Sequence, residues 1–195
     1  MNKLFVLMGK SASGKDTIYK RLLGDGRVSL KTIVPYTTRP IRQGEKEGVE
    51  YHFVSREKFL EMKENNRVIE SRDYQTVHGV WSYFTAFDEQ FQGEEDNYLM
   101  INTLEGYEQI RDYFGENKVV PLYIYVEDGV RLARALERER SQSLPKYEEM
   151  CRRFLADAED FSEEKLKKAG IVKCYNNENI ENCIEELIVA MNSNM

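Results

Sequence analysis

This chain is poor in the residues that usually announce redox or metal chemistry. It has three cysteines, Cys151, Cys174 and Cys183. An odd, low number with no Cys-x-x-Cys pair argues against a disulfide framework or a zinc site. The three are read as reduced thiols, with Cys151 and Cys174 as core residues. The two histidines, His52 and His78, are too few for a multi-histidine metal site. No apolar run approaches the ~20 residues that a membrane helix needs. The opening run Leu4 to Met8 is too short for a signal-peptide core and meets glycine and lysine at once. A cytoplasmic protein with no membrane partner is therefore expected. Basic residues are also in deficit, 28 against 34 acidic, for a net charge of -6. A general nucleic-acid binder is usually basic, so none is expected as a partner. A local arginine cluster can still serve an anionic substrate inside an acidic protein. There is no internal repeat and no low-complexity tract.

What remains is 195 residues, 41% hydrophobic and 32% charged, enough for one globular domain. Leu4 to Met8 reads as a strand buried on both faces. Lys15 to Leu23 reads as a helix ended by Gly24-Asp25-Gly26. Strands are expected at Leu30 to Val34 and Tyr51 to Val54. Pro35 and Pro40 keep the segment between them extended, and Gln43 to Gly48 is turn-like. Arg56 to Glu64 reads as a helix capped by Ser55. Val68 to Ser71 and Val77 to Tyr83 read as short strands around a loop. Further strands are expected at Tyr98 to Ile101, Val119 to Val126 and Ile171 to Tyr175. Helices are expected at Leu104 to Phe114, Asp128 to Arg140, Lys146 to Lys168 and Ile180 to Met191. Strands alternating with helices imply an α/β layered fold with a mainly parallel sheet. The stretch 35–85 breaks the alternation and reads as an inserted subdomain.

Gly9-Lys10-Ser11-Ala12-Ser13-Gly14-Lys15-Asp16-Thr17 fits G-x-x-x-x-G-K between an apolar strand and a helix. Glycines let backbone N–H groups turn inward around an anion, and the new helix adds its positive N-terminal end. Lys15 can reach the β- and γ-phosphates of ATP and follow charge as it develops in transfer. Asp16 stands where Ser or Thr usually follows the lysine. Two readings stay open: Asp16 or Thr17 holds Mg²⁺, a carboxylate being a hard oxygen ligand, or Asp16 caps the helix or faces solvent.

A second constellation runs Thr37-Thr38-Arg39-Pro40-Ile41-Arg42-Gln43-Gly44-Glu45, then Gly48-Val49-Glu50-Tyr51-His52-Phe53. With the phosphate loop upstream, it resembles the guanylate kinase family over most of the chain. The resemblance implies a P-loop NTPase-type three-layer fold. Its core would be 1–34 and 86–195, its nucleoside-monophosphate subdomain about 35–85 and its helical lid about 134–153. It implies ATP and GMP as substrates, with Mg²⁺ as cofactor. Arg39 and Arg42 would clamp the acceptor phosphate with guanidinium forks, and Tyr51 and Tyr83 would touch the same phosphate. Glu70 would read the guanine edge and Thr85 would touch the base. Three departures stand out. Pro35 replaces a serine, the loop from Glu70 to Tyr83 is longer than usual and holds Trp81, and Thr103 stands where a second acid would accept from the guanine amine.

Six arginines lie between 131 and 153: Arg131, Arg134, Arg138, Arg140, Arg152 and Arg153. About half of them are expected to be solvated partners of Glu137, Glu139, Glu148 and Glu149. By the resemblance Arg153 is a lid arginine closing over the transferring phosphates, and Arg138 and Arg134 compete for the other place. Asn176 and Asn177 follow the last expected strand, near where the family holds the ATP base. The expected activity is phosphoryl transfer from ATP to a nucleoside monophosphate, with GMP first. Lys15, Arg39, Arg138 and Arg153 would carry the chemistry. The rivals are another phosphorylated acceptor, or a non-catalytic protein-binding module, against which the intact Gly14 and Lys15 argue. The oligomeric state is left open between monomer and homodimer.

Overall fold

A computed structural model describes every residue of the chain except Gln43, Val77, His78 and Glu94. It is an α/β structure with two sheets. The larger has five parallel strands in the order β2 (Lys31–Thr32), β7 (Tyr98–Ile101), β1 (Leu4–Met8), β8 (Val119–Tyr125) and β9 (Cys174–Asn176). All five side chains of β1 are buried because both faces of the sheet are covered. Leu4, Val6 and Met8 alternate onto one face, against α3 (Leu104–Phe114). Phe5 and Leu7 alternate onto the other, against α1 (Lys15–Asp25) and α7 (Ile180–Asn194). The phosphate-loop sequence therefore leaves the carboxyl end of the central strand, where open parallel sheets place ligands.

The smaller sheet runs β4 (His52–Phe53), β3 (Tyr36–Thr37), β6 (Gly79–Ala86), β5 (Val68–Thr76). Its core is Phe59 and Met62 of α2 (Arg56–Glu64) packed on Phe84 and Ala86. The Ser55 hydroxyl caps α2 by accepting from the Lys58 N–H. β5 and β6 are longer than expected. The stretch after Glu70 is not a loop but an antiparallel hairpin, in register from Ser71 with Phe84 to Thr76 with Gly79. Polar residues at 71–76 hide the strand in sequence, and cross-strand pairing supplies what propensity does not. The expected strand start at Val77, His78 itself and the expected turn start at Gln43 lie outside the described residues.

Three further differences have simple causes. The expected helix 146–168 is two, α5 (Tyr147–Asp160) and α6 (Glu163–Lys168), because the Ser162 side chain caps the second by accepting from the Lys165 N–H. The last strand starts later, at Cys174. Cys151 and Cys174 are exposed rather than core, on a solvent-facing helix surface and an edge strand, and Cys183 is buried. Among the described residues no helix is long and apolar enough to cross a membrane.

Candidate active site

The loop from Gly9 to Lys15 is held from several sides. Gly14 precedes α1 with φ 84, a left-handed conformation that glycine adopts freely. A Cβ there would also collide with the side-chain nitrogen of Asn177. That amide nitrogen donates to the Ser13 carbonyl at 2.8 Å, and Asn177 is itself tied to Tyr125 by its backbone N–H at 2.9 Å and to Arg134 by its carbonyl at 3.0 Å. A Cβ at Gly9 would stand 2.8 Å from the Ile124 carbonyl. Ala12, at φ 61, is one of two non-glycine residues with positive φ among the described residues. A left-handed alanine costs roughly 1–2 kcal/mol, so its surroundings must impose it.

That imposition comes from the helices beyond the loop. Arg131 of α4 (Asp128–Arg140) is 1% exposed. Its Nη1 donates to the Ser11 carbonyl at 2.8 Å, and its Nε and Nη2 donate to Asp128 at 3.0 and 2.7 Å. Asp157 of α5 accepts from the Ser11 N–H at 2.7 Å and stands 3.5 Å from Arg131 Nη1. The guanidinium lies over the Phe154 ring. Of the six arginines between 131 and 153, Arg131 and Arg134 therefore face the loop. Arg138 and Arg153 are exposed. Arg152 pairs with Glu149 at 2.7 Å, and Arg153 is 3.9 Å from the same carboxylate.

Lys15 sits at the start of α1, 3.9 Å from the carboxylate of its neighbour Asp16. Asp16 does not cap the helix: Gly14 occupies that position and no side chain bonds to it. Asp16 and Thr17 are exposed. Among the described residues no cluster of three acidic, histidine or cysteine side chains makes a ready metal cage. The exposed Asp16 carboxylate beside the loop nevertheless fits Mg²⁺, which is usually bound through one or two carboxylates together with substrate phosphates.

The small sheet meets the carboxyl end of the large one, where Asn102, just after β7, bonds to Glu70 of β5. Arg39 is buried, and its Nη1 and Nη2 donate to Glu45 at 2.7 and 2.6 Å. Its guanidinium rests over the rings of Tyr51 and Phe53. The hydrogen bonds from Arg39 pull the Glu45 carboxyl down to about 2. Burial raises the pKa of the Tyr51 hydroxyl, so it stays a donor at neutral pH. Tyr51 meets the edge of Tyr83. Arg42 is exposed, and its backbone N–H also donates to Glu45. Deeper in, Glu70 and Thr85 are each 1% exposed and are bonded at 2.8 Å. Asn102 donates to the same Glu70 oxygen at 3.2 Å. Arg72, which the sequence did not single out, reaches Glu70 at 3.2 Å and the Thr103 hydroxyl at 3.1 Å. Glu70, Arg72, Thr85 and Thr103 are thus gathered in one place, and Arg39, Tyr51 and Tyr83 in another. Arg72 stands two residues after Glu70 on β5, hence on the same face, and was missed because the expected strand ended at Ser71.

A phosphate loop between the central strand of a parallel sheet and the helix that follows it defines the P-loop nucleotide-binding class. A family model for guanylate kinase matches residues 1–193, and the chain belongs to the guanylate kinase family. A guanylate kinase of Helicobacter hepaticus is 34% identical over 115 residues, 58% of this chain and 55% of that protein. The match thus spans about half the length of that relative. A guanylate kinase of Prochlorococcus marinus is 29% identical over 160 residues, 82% of this chain and 83% of its own. The crystal structure of guanylate kinase from Anaplasma phagocytophilum superposes with a TM-score of 0.65 at 23% identity, over 98% of this chain and 85% of that one. This last likeness speaks for the fold.

Proposed function

We propose that this chain transfers the γ-phosphoryl group of ATP to a nucleoside monophosphate, with GMP as the leading acceptor and GDP and ADP as products. The carrying observation is that the chain holds, besides the phosphate loop, a second cationic seat: the buried Arg39, fixed in orientation by Glu45, in a small sheet joined to the carboxyl end of the large one through the Asn102–Glu70 bond. A loop alone serves hydrolysis equally well, whereas a second cationic seat serves an acceptor phosphate.

In this reading Arg39 and Arg42 hold the acceptor phosphate, and Tyr51 and Tyr83 donate their hydroxyls to it. An acceptor oxygen attacks the γ-phosphorus directly, forming the new P–O bond as the bond to the bridging oxygen of ADP breaks. No side chain becomes covalently attached. The protein contributes position and positive charge. Lys15 follows the charge on the transferring group. Arg138 and Arg153, exposed in this structure, are the charges that lid movement would bring in, excluding water that would waste ATP. Asp16 or Thr17 would hold Mg²⁺, which would supply neutralising charge to the phosphates.

The test is a product assay with ATP and GMP together and each alone, beside calorimetric titration with ATP. The reading expects ADP and GDP in equal amounts, and only when both substrates are present. A chain that binds no ATP would instead be a non-catalytic binding module.

A further inference from the structure

The role assigned to Arg72 rests on the proposed kinase function, in which Glu70 is the acid set against the acceptor's base. The Glu70 carboxylate is buried and nearly saturated. Oε1 accepts from Thr85 at 2.8 Å and from Asn102 at 3.2 Å. Arg72 closes over the rest, with Nε to Oε2 at 3.2 Å and Nη2 to Oε1 at 3.5 Å. A carboxylate offers about four acceptor sites, so roughly one remains, on Oε2. One ring N–H of a purine can use it. The paired N1–H and 2-amine of guanine ask for two.

The place where the second would sit is taken. Arg72 Nη1 donates to the Thr103 hydroxyl at 3.1 Å, so the guanidinium bridges Glu70 and Thr103. The Thr103 oxygen also accepts from the Gly106 N–H at 3.1 Å, as the cap of α3. Arg72 has donors only, and the one hydrogen left on Thr103 is a donor too. Arg72 is the register partner of Tyr83, whose ring meets Tyr51. It therefore stands on the strand between the phosphate seat and the base seat. A 2-amino group in this corner faces donors. A carbonyl there is matched, and a plain C–H is tolerated.

We propose that Arg72 is a specificity-determining residue that turns the acceptor site away from the guanine amine. Beside GMP the site therefore admits 6-oxopurine 5′-monophosphates without that amine, above all one with a carbonyl at C2. GMP is used, but with no advantage from its amine.

The experiment measures kcat/KM with ATP for GMP, IMP and XMP, on the full chain and on Arg72→Gln and Thr103→Asp. For the wild type, XMP and IMP are expected to come within tenfold of GMP. Arg72→Gln replaces a pure donor with a group that also accepts, and should move the GMP to XMP ratio toward GMP by tenfold or more. Thr103→Asp keeps an α3 cap and adds an acceptor in the same corner, so it should move the ratio the same way should Arg72→Gln fail to fold. A purely structural Arg72 would change all three acceptors together. Wild-type preference for GMP over both others by more than tenfold overturns the proposal, as does an unmoved ratio in folded variants. If no nucleotide is phosphorylated, the kinase reading fails. Calorimetry with GMP and XMP then still decides on Arg72: XMP binding within tenfold of GMP supports it, and GMP binding more than tenfold tighter overturns it.

Discussion

Asp157, on a helix of the expected lid region, accepts a hydrogen bond from the backbone N–H of Ser11, inside the phosphate loop, at 2.7 Å. Arg131 takes the carbonyl of the same residue at 2.8 Å. Both polar groups of one loop residue are thus held by α4 and α5, next to the left-handed Ala12. The loop's shape is tied to the ends of α4 and α5 that lie outside the expected lid at 134–153.

Asp157→Ala should therefore act on ATP rather than on the acceptor. It leaves the Ser11 N–H unpaired and Arg131 with Asp128 as its remaining carboxylate. The expected cost is about 1–2 kcal/mol of stability, the low end for a hydrogen bond to a charged group because the pair is only partly buried. The KM for ATP should rise about tenfold, and KM for the acceptor should hold. Thermal melts and two-substrate kinetics check this. Adding Ala12→Gly, which relieves the strained φ, should recover part of the lost stability.

Gly14→Ala puts a Cβ into the Asn177 amide and forces alanine to φ 84. Since Asn177 also ties β9 to β8 through Tyr125, the damage spreads beyond the loop. ATP titration by calorimetry should show no binding, and the melting temperature should fall.

The Arg39–Glu45 pair makes a pH prediction. The folded Glu45 carboxyl is lowered from its ordinary 4.5 to about 2. A depressed folded pKa means stability that is present above the unfolded value and lost as pH falls through the folded one. The wild type should thus be more stable than Glu45→Gln above about pH 4.5, and the gap should close between there and about pH 2. Melts of both proteins across that range measure it. At neutral pH, Glu45→Gln should raise KM for the acceptor and leave KM for ATP, because Glu45 aims Arg39.

Thiol accessibility separates the three cysteines. Burial pushes the Cys183 thiol up to about 11, whereas Cys151 and Cys174 are exposed. A chromogenic thiol reagent should label two thiols rapidly in the native protein and the third only on unfolding.

The features legible in the sequence share a local cause. β1 is a continuous apolar run, α2 has a capping serine, and the phosphate loop is a contiguous motif. The features that were not legible depend on distant partners. Polar 71–76 became a strand because residues 79–84 pair with it. The bonds that hold Glu70 come from Thr85, Asn102 and Arg72, of which Thr85 and Asn102 are distant in sequence. Asp157 lies 146 positions from the Ser11 amide it serves, and no local pattern signals such a bond. The cysteines misled because composition favours burial of a free thiol, and only the packing shows which of them has neighbours.

The most direct measurement of the central claim is product formation from ATP and GMP by the wild type and by Arg42→Met, whose exposed arginine can be removed without opening the core. Equal amounts of ADP and GDP, with KM for GMP raised at least tenfold and KM for ATP unchanged in Arg42→Met, are the predicted result. ADP released with no phosphorylated acceptor, or equal activity of the two proteins, would contradict transfer to a phosphate gripped by Arg39 and Arg42.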